Sequence, residues 1–175
     1  QWLSAAERCI WDLGLARVGK WVRVKEYKVY LRSISSRFVF QIKLRPNGDF
    51  EAFCRWTPRG YEEIPYEHFD PDNIFAATPG TDIIRFILCK GIEENQMTFH
   101  LDFKRAFSHA PLDGEVLVTM PKGFVKRDAE GFELGLLLDK SSEGLKQSAA
   151  QWQAFLKVAL VRENFLQFPH DPCLW

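Results

Sequence analysis

The sequence predicts an α+β fold in which antiparallel strands pack with helices, and three observations carry that expectation. Residues 38–44 and 50–56 each alternate apolar with polar side chains, on either side of the turn residues Pro46-Asn47-Gly48-Asp49; this is the pattern of a half-buried β-hairpin. Residues 143–164 instead place Leu145, Ala149, Trp152, Leu156 and Leu160 at spacings of three and four, the period of an amphipathic helix. No internal repeat or low-complexity segment interrupts the chain, and strand-like and helix-like stretches are interspersed, which indicates mixed layers.

Taken in order, "WVRVKEYKVYLR" at 21–32 mixes strand-like alternation with basic residues and is a candidate strand ahead of the hairpin. In the hairpin, Phe38, Phe40, Ile42 and Leu44, then Phe50, Ala52, Cys54 and Trp56, form the apolar set, which puts Lys43, Arg45 and Arg55 on the opposite face. Residues 57–80 carry four Pro and two Gly and predict an irregular connection. A helix is expected from Thr81-Asp82, with Ile83, Ile84, Ile87 and Leu88 on one face and Gly91 near its end.

Residues 97–103 predict a buried strand, with Met97, Phe99, Leu101 and Phe103 alternating against Thr98, His100 and Asp102. Burying an unpaired carboxylate costs several kcal/mol, so Asp102 is expected either to find partners or to sit at a strand end facing a cavity. Strands are expected again at 115–120 and 132–138, separated by the loop "PKGFVKRDAEG". Ser141 or Ser142 is the expected cap of the long helix over 143–164, and Pro169 its breaker, with the tail a candidate for entry into another strand.

A chain of 175 residues, 46% hydrophobic and 14% aromatic, is long enough and apolar enough for a folded core of one domain, or one and part of another. Its longest apolar runs are too short to cross a bilayer and no signal-like segment opens it, so a soluble intracellular protein is expected. Cys9, Cys54, Cys89 and Cys173 are widely spaced, which predicts buried thiols in preference to a zinc site or disulfide framework. Gln1 and Trp175 both read as ends cut from something longer. The formal charge is zero, but residues 1–59 hold 12 Lys and Arg against 5 Asp and Glu, whereas residues 60–175 hold 11 against 18. A basic lobe joined to an acidic one suits a protein that holds polyanions with one part and divalent cations with another; chance segregation of surface charge gives the same count.

The ordered blocks "IKLRPNGDFEAFCRW…PRGY", "IFAATPGTDIIRFILC", "HLDFKRAFSHAPLDGEVLVTMPKGF", "EGLKQSAAQW" and "DPCLW" resemble the reverse transcriptase domain of copia-type retrotransposon polyproteins, from about residue 21 to the end. The resemblance implies the fingers and part of the palm of a right-hand polymerase, with fingers at about 17–95 and 117–140 and palm at about 96–116 and 141–175. It implies that Asp102, in the Asp-x-Lys-x-Ala-Phe block, binds two catalytic magnesium ions, one of them shared with the carbonyl of Phe103. Phe107 falls where that family places the aromatic gate against a ribose 2′-hydroxyl, with Ala106 leaving room for the sugar. Lys43, Arg55, Lys104 and Arg105 are the implied cations around the incoming triphosphate. Gln147, in the Gly-Leu-Lys-Gln block, is implied to contact the nucleotide and template. Read without the family, Phe107 is an ordinary core aromatic, Gln147 a polar residue in a first helical turn, and Lys43 and Arg55 exposed strand charges.

The implied reaction is attack of a primer 3′-hydroxyl on the α-phosphate of a dNTP, directed by an RNA or DNA template, in a cytoplasmic virus-like particle or the nucleus. Several positions depart from the family pattern. Glu143 stands where Tyr usually precedes Gly-Leu-Lys-Gln, His109-Ala110 replaces Asn-Gly, Ser108 replaces Leu, and Ala77 replaces Pro; these bear on activity more than on fold. The family's later acidic hairpin, source of the remaining metal carboxylates, is not reached before Trp175. Two-metal transfer needs several converging carboxylates to hold ions about 4 Å apart. The expectation is therefore a partial domain, inactive alone, that works with the rest of the palm, the thumb and the ribonuclease H portion of one polyprotein. A non-catalytic remnant that binds nucleic acid weakly is the alternative. A hydrolase built on His100 and Asp102 is a third reading, with no ligand spacing among the four His behind it.

Overall fold

The structure, a computed structural model, describes residues 2–16 (side chains only as far as residue 10), 18–27 and 31–175. The start of the expected fingers at residue 17, and residues 28–30 of the strand expected over 21–32, lie outside the described residues. The chain order is α1 (Trp2–Ala16), β1 (Gly19–Arg23), α2 (Val24–Tyr27), β2 (Ile34–Leu44), β3 (Phe50–Pro58), α3 (Thr81–Glu93), β4 (Pro111–Thr119), β5 (Lys126–Arg127), β6 (Glu133–Lys140) and α4 (Ser148–Arg162). The strands join in the order β1-β6-β4-β2-β3, with β5 pairing β6. All ladders are antiparallel except a short parallel contact of β2 with β4, Ile34 to Val118 and Ser35 to Thr119. The α+β class is as expected, and the antiparallel sheet carries that one parallel contact.

The hairpin forms as its alternation dictates, pairing Phe38 with Trp56, Phe40 with Cys54 and Lys43 with Glu51. At its turn Gly48 takes φ +88°, and Arg45 N–H and the Asp49 carbonyl close the loop at 2.8 Å; that backbone angle favours glycine. β4 and β6 read as continuous apolar runs because both of their faces are covered. Val116, Val118, Leu136 and Leu138 pack on one side with Val18, Ile34, Trp56 and Leu145. Leu117 and Leu137 pack on the other with Val24 and Leu31. Each such side chain contributes on the order of 1.5–3 kcal/mol by leaving water. Trp56 is buried with its indole N–H satisfied, donating to Ser36 Oγ at 2.9 Å, which in turn donates to the Thr119 carbonyl at 2.6 Å. A buried polar chain of this kind ties β3, β2 and β4 together.

Four expectations need correction. Residues 97–103 form no strand: none of the described strands pairs with them, and Met97, Phe99 and Leu101 are 75–82% exposed. Alternation specifies a face but supplies no neighbour, and a strand without lateral hydrogen bonds has nothing to hold it extended. The strand predicted over 21–32 ends at Arg23 and gives way to one turn of helix. The last helix begins at Ser148, well beyond the serines predicted to cap it. Gly144, at φ +106°, interrupts the chain first, and Ser148 Oγ donates to the Ser142 carbonyl at 2.7 Å, closing a turn ahead of the helix. Finally, that helix stops at Arg162, where Asn164 adopts φ 65°, before Pro169 is reached, and no strand follows.

No helix among the described residues is long and apolar enough to cross a membrane. Only Cys54 of the four thiols is fully buried; Cys9 and Cys173 are partly covered and Cys89 is exposed.

Candidate functional site

The hairpin forms one wall of a cleft of about 670 Å³, to which Cys54 and Trp56 of its apolar set contribute beside residues of the opposite face. Lys43, Phe53 and Arg55 line it from β2 and β3, residues 102–108 from the connection between α3 and β4, Ser142 and Glu143 from the loop before α4, and Cys9 from α1. Lys43 Nζ sits 3.5 Å over the Phe53 ring, which holds the cation on the cleft side. Arg55 Nε donates to Glu143 Oε2 at 2.9 Å, across the cleft from one wall to another. Both partners are more than two-fifths exposed, so the pair contributes at most about 1 kcal/mol and a polyanion can compete for the arginine.

The segment 102–108 is irregular up to a 3-10 turn, Ala106–His109. Phe103 anchors it by packing edge-on against Trp152 of α4, with ring centroids 5.3 Å apart. Arg105 precedes the turn at φ 53°, a left-handed conformation that a non-glycine residue adopts at a cost of about 1–2 kcal/mol. Local strain of this kind collects where the surrounding structure fixes a functional geometry. Ala106, Phe107 and Ser108 are half-buried, while Asp102 is exposed and makes no ion pair among the described residues.

Of the residues singled out from sequence, Lys43, Arg55, Asp102, Phe103, Lys104, Arg105, Ala106 and Phe107 are brought together in this cleft, and Gln147 is not. Gln147 is 2% exposed and turned inward, its Nε2 donating to the His68 carbonyl at 3.3 Å. It supports the loop that carries Glu143 from behind. Gln147 belongs to a buried polar cluster that sequence patterns miss. His68 accepts the Ile64 N–H on Nδ1 at 2.9 Å, and its Nε2 lies 2.7 Å from the Arg32 carbonyl, to which it donates in the matching tautomer. Glu63, 4% exposed, accepts the Lys146 N–H on Oε2 at 2.9 Å, while its Oε1 has no hydrogen-bond partner.

Burial pushes the Glu63 carboxyl above its ordinary value near 4.5, against the opposing pull of the Lys146 N–H and the Gln147 amide. The folded state thus favours the protonated acid. The stability this contributes is fully present below the ordinary value and is lost as pH rises through the raised one. The lowered carboxyls Glu51, Glu62 and Asp128 have the opposite sign, losing stability as pH falls. Comparing wild type with Glu63→Gln by urea unfolding at stepped pH isolates the Glu63 contribution. The variant is expected to lose less stability than wild type as pH rises above 4.5; parallel curves would rule out a raised Glu63 carboxyl.

The cleft offers a hard cation one exposed carboxylate, Asp102, beside the Phe103 carbonyl; the other carboxylate on its walls, Glu143, is engaged by Arg55. No cluster of three or more His, Cys, Asp or Glu suited to a metal occurs among the described residues. These donors match part of a magnesium site and do not by themselves make a two-ion one.

The family model described as reverse transcriptase (RNA-dependent DNA polymerase) matches residues 20–175. The chain is 29% identical over 147 residues to the retrovirus-related Pol polyprotein from transposon TNT 1-94 of Nicotiana tabacum, covering 82% of the chain and 11% of that protein. It is 26% identical over 143 residues to the Pol polyprotein from transposon RE2 of Arabidopsis thaliana, and 24% identical over 163 residues to that from transposon RE1 of the same plant. Those matches cover 81% and 91% of the chain, and the chain spans only about a tenth of each polyprotein's length. No solved structure matches it. On the extent of the family match, with polyproteins of the copia-type kind as its relatives, the chain belongs to the reverse transcriptase family.

Proposed function

We propose that the chain is the fingers, at about 17–95 and 117–140, and part of the palm, at about 96–116 and 141–175, of an RNA-directed DNA polymerase within a retrotransposon polyprotein. The single observation that carries this reading is the meeting of Lys43, Arg55, Lys104 and Arg105 with Asp102 and Phe107 around one cleft. Four cations there neutralise a triphosphate. Phe107 stands beneath the sugar and excludes a 2′-hydroxyl, and Ala106 leaves room for the ring. Asp102 and the Phe103 carbonyl are one arm of the magnesium site, which requires further carboxylates from elsewhere in the polyprotein; bound magnesium would stabilise charge on the transferring phosphoryl group. Template and primer lie across the basic lobe, residues 1–59, through phosphate contacts that weaken as salt rises. The working place is intracellular, in a cytoplasmic particle or the nucleus, and the partners are the rest of the palm, the thumb and the ribonuclease H portion.

Titrating dTTP into the 175-residue chain and its variants by calorimetry tests the reading. Glu143→Gln is expected to bind about fivefold more tightly than wild type, since it releases Arg55 from a pair worth about 1 kcal/mol. Arg55→Gln is expected to bind more weakly, and the differences should shrink in high salt. One observation favours a second reading, a non-catalytic remnant: Glu143 already occupies Arg55. In that case dTTP binds none of the three proteins measurably.

A further inference from the structure

Two thiols of the cleft wall meet at the junction of α1 with the sheet edge. β3 is the last strand of the sheet, so its outward N–H groups need a cover. α1 supplies one: the Trp56 N–H donates to Cys9 Sγ at 3.1 Å. Cys54, two residues earlier on β3 and 7% exposed, lies in a small core with Ala5 and Ala6 of α1, and Cys9, Phe38, Ala52 and Phe124 pack against that core. Both sulfurs' residues also border the cleft, which gives small polar reagents a path to them.

We infer that Cys9 and Cys54 form a dithiol site at which a peroxide produces an intramolecular disulfide, joining α1 to the strand that carries Arg55. The inference stands apart from the polymerase reading, since it uses neither a nucleotide nor a metal. Its order of events follows from the two environments. Burial, reinforced by the neighbouring Cys9, raises the Cys54 thiol to about 12, so Cys54 holds almost no thiolate and is a poor first target. Cys9, partly exposed and bordering the cleft, is the more accessible sulfur and the first to react. Its sulfur attacks hydrogen peroxide: an S–O bond forms, the O–O bond breaks, and the departing hydroxide leaves as water with the proton shed by the thiol. Cys54 sulfur then attacks the resulting sulfenic acid. The S–S bond forms, the S–O bond breaks, and hydroxide takes up the Cys54 proton, so two thiols and one peroxide give one disulfide and two waters. A thiol with a high pKa is intrinsically the stronger nucleophile once deprotonated, which suits Cys54 to this second step.

Treating the folded 175-residue chain with hydrogen peroxide, alkylating the remaining thiols and mapping peptides by mass spectrometry tests this. The expected main intramolecular product is a Cys9–Cys54 linked peptide that dithiothreitol reverses, with exposed Cys89 serving as the internal comparison. In Cys54→Ser a dimedone adduct is expected to accumulate on Cys9, and in Cys9→Ser Cys54 should remain alkylatable after treatment. A wild-type map without the Cys9–Cys54 peptide, or with Cys9 linked mainly to Cys89 or Cys173, overturns the inference. That map decides the matter even if a variant fails to fold.

Discussion

Asp102→Asn, introduced into a polyprotein segment that contains this chain together with the sequence following it, is expected to lower primer extension by roughly 10²–10⁴-fold, because loss of one anionic ligand removes on the order of 3–5 kcal/mol of transition-state stabilisation. Asparagine preserves the side chain's size and one oxygen but removes the charge that a hard divalent cation selects. The cleft makes the experiment clean. Asp102 is exposed and makes no ion pair among the described residues, so the substitution should change folding stability by no more than about 0.5 kcal/mol. A loss of extension with unchanged unfolding and unchanged template-primer affinity therefore reports on chemistry. The 175-residue chain by itself should extend no primer in either form, its carboxylates in the cleft being Asp102 and an engaged Glu143. Activity of the longer variant within tenfold of wild type would remove Asp102 from the proposed role, and extension by the short chain would remove the requirement for added carboxylates.

How much of this was legible in the sequence depends on how local each signal is. The hairpin's turn and the strand ends beside it could be read because the alternation and the turn lie in one continuous stretch, although β2 begins at Ile34, four residues ahead of the alternating run, and β4, β6 and α3 announce themselves through apolar runs and spacing. The segment 97–103 has the same alternation and fails, since strand formation depends on a neighbour that residue pattern cannot supply. The residue pattern starts α4 too early because two serine caps precede Gly144, whose close packing against Thr57 and Pro58 is a tertiary contact that no local pattern reports. Most of the cleft was recoverable from the family resemblance, whose blocks bring Lys43, Arg55 and residues 102–107 into one list before any geometry is known. Gln147 was placed at the nucleotide by the same reasoning and lies behind the loop instead. The Arg55–Glu143 pair and the buried Glu63 carry no local signature: each is a charged residue in a polar stretch, and its partner or its burial is set by chain segments far away in sequence.

Gly144→Ala is expected to destabilise the chain by roughly 2–4 kcal/mol, combining a disfavoured backbone angle with overlap against a neighbouring strand. At φ +106° an alanine is strained wherever its side chain points. Here the added methyl would also overlap the Pro58 carbonyl oxygen and lie 2.6 Å from Thr57 Cγ2, at the end of β3. The approach is mutual: Gly60 N–H donates to the Gly144 carbonyl at 3.1 Å, and a methyl on Gly60 would overlap that same oxygen. This glycine pair lets the loop bearing Glu143 lie against the end of the strand bearing Arg55. Gly48→Ala separates the two contributions, because Gly48 has a comparable φ of +88° with nothing within 4 Å of the added methyl. It should cost only the backbone strain, about 1 kcal/mol. Since a destabilisation of 1 kcal/mol lowers Tm by about 2–4 °C in a chain of this size, thermal unfolding should place Gly144→Ala well below Gly48→Ala. Gly60→Ala should behave like Gly144→Ala, and the double variant should fall short of the sum, because both substitutions open one contact. Equal losses at Gly48 and Gly144 would show that the loop yields freely, and that the closeness of Glu143 to Arg55 is not held by this contact.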